Sequence, residues 1–202
     1  MGHHGGVEIS QVESLRAVLA TTGWIQRTEE FADALRTTRE PGGLLLFGTP
    51  VEEPWHLAAH LDDESRYAGL PQLRPTLVRW RPPPDAPPHL SVGLDRLGEV
   101  RRGETLFVVS PEPVAPVPLL ERVDDARRSG ATVLALDQGD TELHSLAHEA
   151  LGVVPEAAPV SFDAAQHLVS YAAGGERPKG RRGLRDYLSA FLDVVSGPHV
   201  AR

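Results

Sequence analysis

Cysteine is absent from this chain of 202 residues, and aromatic side chains account for only 5% of it. The absence of cysteine excludes a disulfide scaffold, a thiolate metal site and a cysteine nucleophile, and it fits a reducing compartment. The scarcity of aromatic residues disfavours a protein that stacks nucleic-acid bases on an aromatic surface. Long apolar segments are also missing, because the longest run, 42–48, is far too short to span a bilayer. We therefore expect a cytoplasmic protein with no membrane-spanning segment.

The balance of charge is acidic. Lysine and arginine number 20 against 28 aspartate and glutamate residues, which gives a formal net charge of −8. Such a chain lacks the broad positive field that binds nucleic acid or an anionic membrane, so we expect neither as a partner. Hydrophobic residues make up 41% of the chain, an ordinary globular composition, and the length fits a single domain over 1–202.

Short apolar runs alternate with segments of helical periodicity along the chain. A continuous run such as Leu44–Phe47, bounded by glycines, is typical of a parallel strand that is covered on both faces. The pattern predicts strands at 44–47, 76–80, 105–109, 131–136 and 153–154, and helices at 8–39, 54–61, 91–97, 117–129, 142–151 and 161–172. This alternation favours an α/β three-layer sandwich with a five-stranded parallel sheet. We expect N-terminal helices at 8–40, the α/β core at 41–175 and a further helix in 176–202.

The last segment, 176–202, opens with basic residues and continues as an amphipathic helix. Its apolar residues recur at helical spacing; they are Leu184, Tyr187, Leu188, Phe191, Leu192 and Val195. A face of this kind packs on the body of the domain or on a second subunit. We interpret the basic cluster, from Arg177 to Arg185, as a solvated helix start.

Several stretches of the chain stand in an order that points to one family. They are Gly43–Gly48, the helix with His56 and His60, Arg102–Ser110, Ala126–Leu136, Glu142–His148 and the late helix with Gln166 and His167. This arrangement resembles the sugar isomerase (SIS) domain family, and within it the phosphoheptose isomerase branch. The resemblance implies a flavodoxin-like strand order, a ligand pocket at a subunit interface, and assembly as a homodimer or homotetramer.

In that family, two turns rich in glycine, serine and threonine bind the phosphate of a sugar phosphate. The matching turns here, 48–54 and 110–116, are rich in proline and glutamate. Proline removes N–H donors, and Glu52, Glu53 and Glu112 place negative charge where the phosphate would lie. Only Thr49 and Ser110 remain as donors. We therefore predict that these five residues bind a small molecule, and that it is not a phosphosugar held in the family's manner.

Two aromatic residues and one amide extend the predicted binding site. Trp55 and Trp80 lie beside the predicted cleft and are placed to stack on a ligand ring, although large aromatics at the ends of elements usually belong to the core. Gln166 enters through the resemblance, because the late helix of the family carries a catalytic Gln-Glu-x-His run. We include Trp55 and Gln166 among the candidate ligand-binding residues.

Three histidines form a candidate metal or acid/base group. His56 and His60 lie four residues apart on one face of a predicted helix, which is half of a zinc or nickel site. The resemblance implies that His167 reaches the same pocket. Since His60 replaces the family's acid/base glutamate, His60 or His167 would have to move the proton in an isomerisation. A polar cleft wall without metal is the alternative for this group.

Other polar clusters are interpreted as surface features. His144 and His148 are also four residues apart, and a solvated face of an outer helix explains them better than a metal site. Glu52 and Glu53 complement the dipole at a helix start, and the acidic run 62–64 fits a solvated helix end.

Three hypotheses for function follow. The first is a diverged SIS-type protein that binds a carbohydrate derivative or a related small ligand without standard phosphosugar isomerase activity. The second is a metal-dependent sugar isomerase or lyase that uses His56, His60 and His167 with zinc or another divalent transition metal. If it is an enzyme, it is an isomerase of the phosphoheptose isomerase type. The third is a non-catalytic assembly block or regulatory subunit, whose mark would be a pocket filled by side chains.

Overall fold

The structure is a computed structural model, and it describes residues 23–175. The strands are β1 (Leu44–Phe47), β2 (Pro75–Val78), β3 (Thr105–Ser110), β4 (Thr132–Asp137) and β5 (Glu149–Gly152). The α-helices are α1 (Trp24–Arg36), α2 (Trp55–Tyr67), α3 (Asp95–Gly98), α4 (Val117–Arg128), α5 (Thr141–Leu146) and α6 (Phe162–Gly174). Two short 3₁₀ turns, Pro71–Leu73 and Pro88–Leu90, flank β2.

All five strands are parallel and lie in the order β2-β1-β3-β4-β5. Strand β1 shows why the sheet needs helices on both sides, since all four of its residues are buried. Leu44 and Leu46 face α1, α2 and α6, whereas Leu45 and Phe47 face α3, α4 and α5. The predicted three-layer sandwich and its flavodoxin-like order are confirmed.

The position of β5 corrects the sequence-based prediction. The expected helix over 142–151 ends at Leu146, and the expected edge strand at 153–154 lies instead at Glu149–Gly152. The reason is pairing with β4: the His148 N–H donates to the Val133 carbonyl at 2.8 Å, and the chain then runs beside β4. As a result His148 lies outside the helix that carries His144, and the two side chains do not share a helix face.

Arg36 links α1 to the end of α6. Its Nε donates to the carbonyl of Ala173 at 2.9 Å, and its guanidinium also contacts the carbonyls of Ala172 and Gly175. A cation at the C-terminus of a helix satisfies the last carbonyls and complements the helix dipole. This contact helps to hold α6, the helix that carries His167, against the rest of its layer.

Parts of the predicted chain organisation fall outside residues 23–175. They are residues 8–22 of the expected N-terminal helices, the basic segment and the C-terminal amphipathic helix. Within the described part, no helix combines the length and the apolar character needed to cross a membrane.

Candidate functional site

The carboxyl ends of β1 and β3 meet at the point where the chain changes direction across the sheet. The connection after β1 leads to β2 on one side, and the connection after β3 leads to β4 on the other. In open parallel sheets this crevice is the usual place for a ligand. The loops 48–54 and 111–116 border it, as the sequence predicted.

The Glu112 carboxylate accepts hydrogen bonds from the two hydroxyl groups of this crevice. Thr49 Oγ1 donates to Glu112 Oε1 at 2.8 Å, and Ser110 Oγ makes a longer contact of 3.4 Å with Glu112 Oε2. Thr49 Oγ1 also accepts a hydrogen bond from the Glu52 N–H at 3.1 Å, so the threonine hydroxyl acts as both donor and acceptor. Thr49 and Ser110 are fully buried. A carboxylate of the chain itself thus accepts the hydrogen bonds that these hydroxyl groups could otherwise donate to a bound oxyanion.

Gly48 lets the first loop fold back on the end of β1. A Cβ at this position would lie 2.3 Å from the Glu52 carbonyl oxygen and 2.6 Å from Pro54 Cδ, so only glycine fits. Trp80 Nε1 donates to the Gly48 carbonyl at 2.9 Å, and the Trp80 ring stacks on Phe47 with centroids 5.0 Å apart. Trp80 therefore supports the loop, which agrees with the expectation that such a residue belongs to the core.

Trp55 has a different environment, because 40% of its surface is exposed. The Arg79 guanidinium lies 4.6 Å from the centre of the Trp55 ring, and Arg79 Nε donates to Glu53 Oε2 at 2.8 Å. Glu53 precedes α2 and pairs with Arg79, so our assignment of Glu52 and Glu53 to the first helical turn was wrong. Trp55 lines an open cleft of about 480 Å³ whose other lining residues are Pro50, Val51, Glu52, Glu53, Trp80 and Arg81.

The three predicted histidines come together between α2 and α6. His56 Nε2 lies 3.0 Å from His167 Nε2 and 3.1 Å from His60 Nε2, and one ligand nitrogen from each ring falls within 4.8 Å of the others. Helix periodicity places His56 and His60 one turn apart. Because α2 follows the loop after β1, this group lies beside the carboxyl edge of the sheet. Among residues 23–175 it is the one such group of three with metal-binding geometry.

The contacts among these rings cannot all be hydrogen bonds. A neutral imidazole nitrogen carries either one proton or one lone pair. His56 Nε2 contacts two other Nε2 atoms, but its single proton or lone pair can form a hydrogen bond with only one of them. Three convergent lone pairs suit a metal ion instead, since ligand nitrogens about 2.0–2.1 Å from zinc lie roughly 3.3 Å apart in a tetrahedron. The His56, His60 and His167 group could therefore hold a metal.

The electrostatics of the group also favour the neutral form of His60 and His167. Burial lowers the pKa of His60, and the nearby positive charge of His56 lowers it further, while Asp63 opposes the shift. Burial likewise lowers the pKa of His167, with His60 and His56 adding to the effect against Asp163. Neutral imidazole is the form that binds a metal, so the lowered pKa values of His60 and His167 favour metal binding.

Gln166 does not join the histidines. It is buried, and its Nε2 donates to Asp163 Oδ1 at 3.3 Å. The acidic run after His60 is not the expected helix end, because α2 continues through it to Tyr67. Within this run, Asp62 pairs with Arg66 and Arg74. Glu64 is half-buried, and burial followed by the charge of Asp63 raises its pKa.

Asp137, at the end of β4, is a buried polar residue that sequence reasoning missed. Its carboxylate contacts His144 Nε2 at 2.7 Å and accepts the backbone N–H groups of Gly139 and Asp140. Burial raises the pKa of Asp137, although these contacts oppose the shift. The sequence feature that could have indicated it is an aspartate at the end of an apolar strand, two residues before Gly139. The pair holds the turn between β4 and α5, so His144 is not merely a solvated side chain.

No protein-family model matches this chain, and no curated protein sequence matches it. Solved structures do. A candidate phosphosugar isomerase from Silicibacter pomeroyi aligns with a TM-score of 0.53 at 16% identity, over 90% of this chain and 52% of its own. The chain therefore spans about half the length of that protein.

Two further solved structures are similar as well. The sugar isomerase domain of an RpiR transcription factor from Sphaerobacter thermophilus gives a TM-score of 0.50 at 16% identity, over 95% of this chain and 96% of that domain. Vibrio vulnificus NanR, solved with ManNAc-6P, gives a TM-score of 0.53 at 13% identity, over 94% of this chain and 69% of the NanR chain. At such identities these likenesses establish the fold: the chain has the sugar isomerase fold, with strand order 2-1-3-4-5.

Proposed function

We propose that this chain binds a small carbohydrate derivative without a phosphate group, and that it lacks standard phosphosugar isomerase activity. The observation that carries the proposal is the Glu112 carboxylate, which accepts from both Thr49 and Ser110. A phosphate in this crevice would have to displace Glu112 or share its donors, and it would face like charge at short range. Prolines at 50, 54, 111, 113 and 116 leave few backbone N–H groups to compensate.

The Trp55 cleft supports the same proposal. A partly exposed indole beside carboxylates and arginine offers an apolar ring for the C–H face of a sugar and polar groups for its hydroxyls. An assembly block would be expected to have this space filled by side chains. The open cleft therefore favours ligand binding over the third hypothesis.

The test is a thermal-shift and calorimetric comparison of neutral sugars and amino sugars with their 6-phosphates. We expect at least one unphosphorylated compound to bind saturably, and Trp55→Ala to weaken that binding at least tenfold. Tyr67→Ala is the matched control, because Tyr67 is an exposed aromatic at the other end of α2. A sugar phosphate that binds more tightly than its unphosphorylated counterpart, and loses that binding in Thr49→Val, would overturn the proposal.

A second function, a metal-dependent isomerase or lyase, is favoured by the histidine geometry alone. A divalent metal there would polarise a carbonyl or hydroxyl oxygen of the substrate. A ring nitrogen that binds the metal cannot also take a proton, so His60 or His167 would serve as base only if it were not a ligand. Deuterium uptake at a sugar carbon in D₂O, abolished by His60→Gln, would favour this function over simple binding.

We also propose that residues 1–202 form one domain that assembles as a homodimer or homotetramer. Support comes from the apolar face predicted in 184–195. Light scattering of the full chain and of Phe191→Asp tests it, and a wild-type monomer would contradict it.

A further inference from the structure

A second cleft lies at the amino ends of the strands, on the opposite edge of the sheet from Thr49 and Glu112. It has a volume of about 390 Å³, and its charged and polar lining includes Arg39, Arg102, Arg127 and His148, with no acidic residue. Arg39 precedes β1, Arg102 precedes β3, Arg127 lies near the end of α4 and His148 precedes β5. Three connections of the fold and the last turn of α4 therefore bring cationic or N–H-donating side chains to one place.

The arginines of this cleft lack a carboxylate partner in the part of the chain that the structure describes. Among residues 23–175, Arg39, Arg102 and Arg127 form no ion pair with a carboxylate. Glu104, the acid nearest to Arg102 in sequence, is already engaged by Arg96 and by the Arg101 N–H. Three like charges in one cleft repel each other, and a bound anion would relieve that repulsion.

Two glycines allow the arginine stems to come together. Gly103 and Gly130 adopt φ values of 95° and 93°, which other residues rarely adopt. A Cβ on Gly103 would lie 3.3 Å from Arg39 Cδ, and one on Gly130 would lie 3.5 Å from Arg102 Cβ. The stems of Arg39 and Arg102 therefore pack across turns that carry no side chain.

Contacts of the remaining two side chains restrict their orientation. Arg127 Nη1 donates to the Ser145 carbonyl at 3.0 Å, which leaves its other N–H groups available. His148 Nδ1 accepts the Val133 N–H at 2.9 Å, so the neutral ring carries its proton on Nε2 and offers a donor.

We propose that this amino-edge cleft binds a phosphate group, carried by a small phosphorylated molecule or present as free phosphate. Guanidinium forks match the oxygens of a phosphate and bind them in pairs, and three of them suit a dianion better than a carboxylate. The small volume fits a compact ligand. The cleft is independent of the sugar site proposed above, because it lies at the other edge of the sheet.

The experiment titrates the full chain with inorganic phosphate and, separately, with glycerol 3-phosphate, at constant ionic strength set by chloride. Calorimetry and thermal shift report binding. We expect saturable binding that Arg102→Gln and Arg39→Gln each weaken at least tenfold, with unchanged circular dichroism. Arg101→Gln is the matched control, since Arg101 is an exposed neighbour outside the cleft and its substitution should leave the affinity unchanged.

The two ligand arms separate the sources of phosphate. Tighter binding of glycerol 3-phosphate supports a phosphorylated metabolite, and equal affinities support free phosphate. Binding no stronger than that of chloride would overturn the proposal. So would an equal loss in Arg101→Gln, or a short RNA that binds more tightly than either phosphate.

Discussion

The two edges of the sheet differ in the charge of the side chains that line them. At the carboxyl edge, Glu112 takes the hydroxyls of Thr49 and Ser110, and proline occupies five loop positions. At the amino edge, Arg39 and Arg102 pack across glycine turns and have no carboxylate partner within residues 23–175. The edge that usually binds anions is thus occupied by an anion of the chain, while the opposite edge is cationic.

This difference shows that the backbone of a parallel sheet does not by itself determine what binds at its edge. Both edges expose strand ends of the same five-stranded sheet, yet their loops differ in donors and charge. Similarity in fold to sugar isomerase domains therefore indicates a crevice at the same edge of the sheet but does not identify the ligand that binds there. The predictions that follow test the chemistry of each edge separately.

Loss of the histidine group should have the largest effect. Protein purified without a metal-affinity step should contain about one equivalent of zinc or nickel, and His56→Ala with His60→Ala should contain none. Metal at 100 times its Kd would stabilise the wild type by about 2.7 kcal/mol, and the double variant should lose this gain. Elemental analysis and melting temperature measure both. His89→Ala, an exposed histidine outside the group, should behave as wild type; an equal loss there would contradict the assignment.

Gly48→Ala should damage the carboxyl edge alone. The new methyl group would meet the Glu52 carbonyl and Pro54, so the loop must shift at a cost of about 1–3 kcal/mol. Gly98→Ala is the control, because a Cβ there meets nothing within 4 Å. Urea unfolding measures the stability of each variant. We expect Gly48→Ala to weaken sugar binding and to preserve phosphate binding, and loss of both would show that the edges are not independent.

Removing the internal carboxylate should open the crevice to phosphate. Glu112→Ala leaves the buried hydroxyls of Thr49 and Ser110 without their acceptor, at a cost of about 1–2 kcal/mol. Glu112→Gln keeps an acceptor oxygen and should cost less. In an Arg102→Gln background, only the alanine variant should gain affinity for a sugar phosphate, as measured by calorimetry. A wild-type affinity as high as that of the variant would show that Glu112 does not block the site.

The pH dependence of the metal-free protein should be the smallest effect. Burial and neighbouring histidines lower the pKa of His60 and His167 below the ordinary value of 6.5. The unfolded chain therefore binds more protons than the folded one below that value. This contribution to stability should be complete above about pH 6.5 and should be lost as the pH falls through the lowered pKa values. Urea melts at pH 5 and pH 8 check the direction, and His60→Gln should reduce the difference.

The sequence predicted the sheet because its central strands are continuous apolar runs, as in Leu44–Phe47. It misplaced β5, since Glu149–Gly152 has helical character and only pairing with β4 makes it a strand. His56 and His60 followed from helical spacing, whereas His167 followed from the family resemblance. The negative charge of Glu112 was predicted, but its contact with Thr49 joins residues 63 positions apart and required the fold. The Asp137–His144 pair joins residues only seven positions apart, but it forms because the turn between β4 and α5 brings them together.

One measurement tests the contrast between the edges most directly: amide chemical shifts of the isotope-labelled full chain, recorded as glycerol 3-phosphate is added. We predict that the perturbed amides cluster at the amino edge, at Gly103, Gly130 and Ala131, while those of Thr49, Glu52 and Ser110 stay in place. Perturbations centred on Thr49 and Ser110 would contradict the account, because they would show that the carboxyl edge still receives the phosphate despite Glu112.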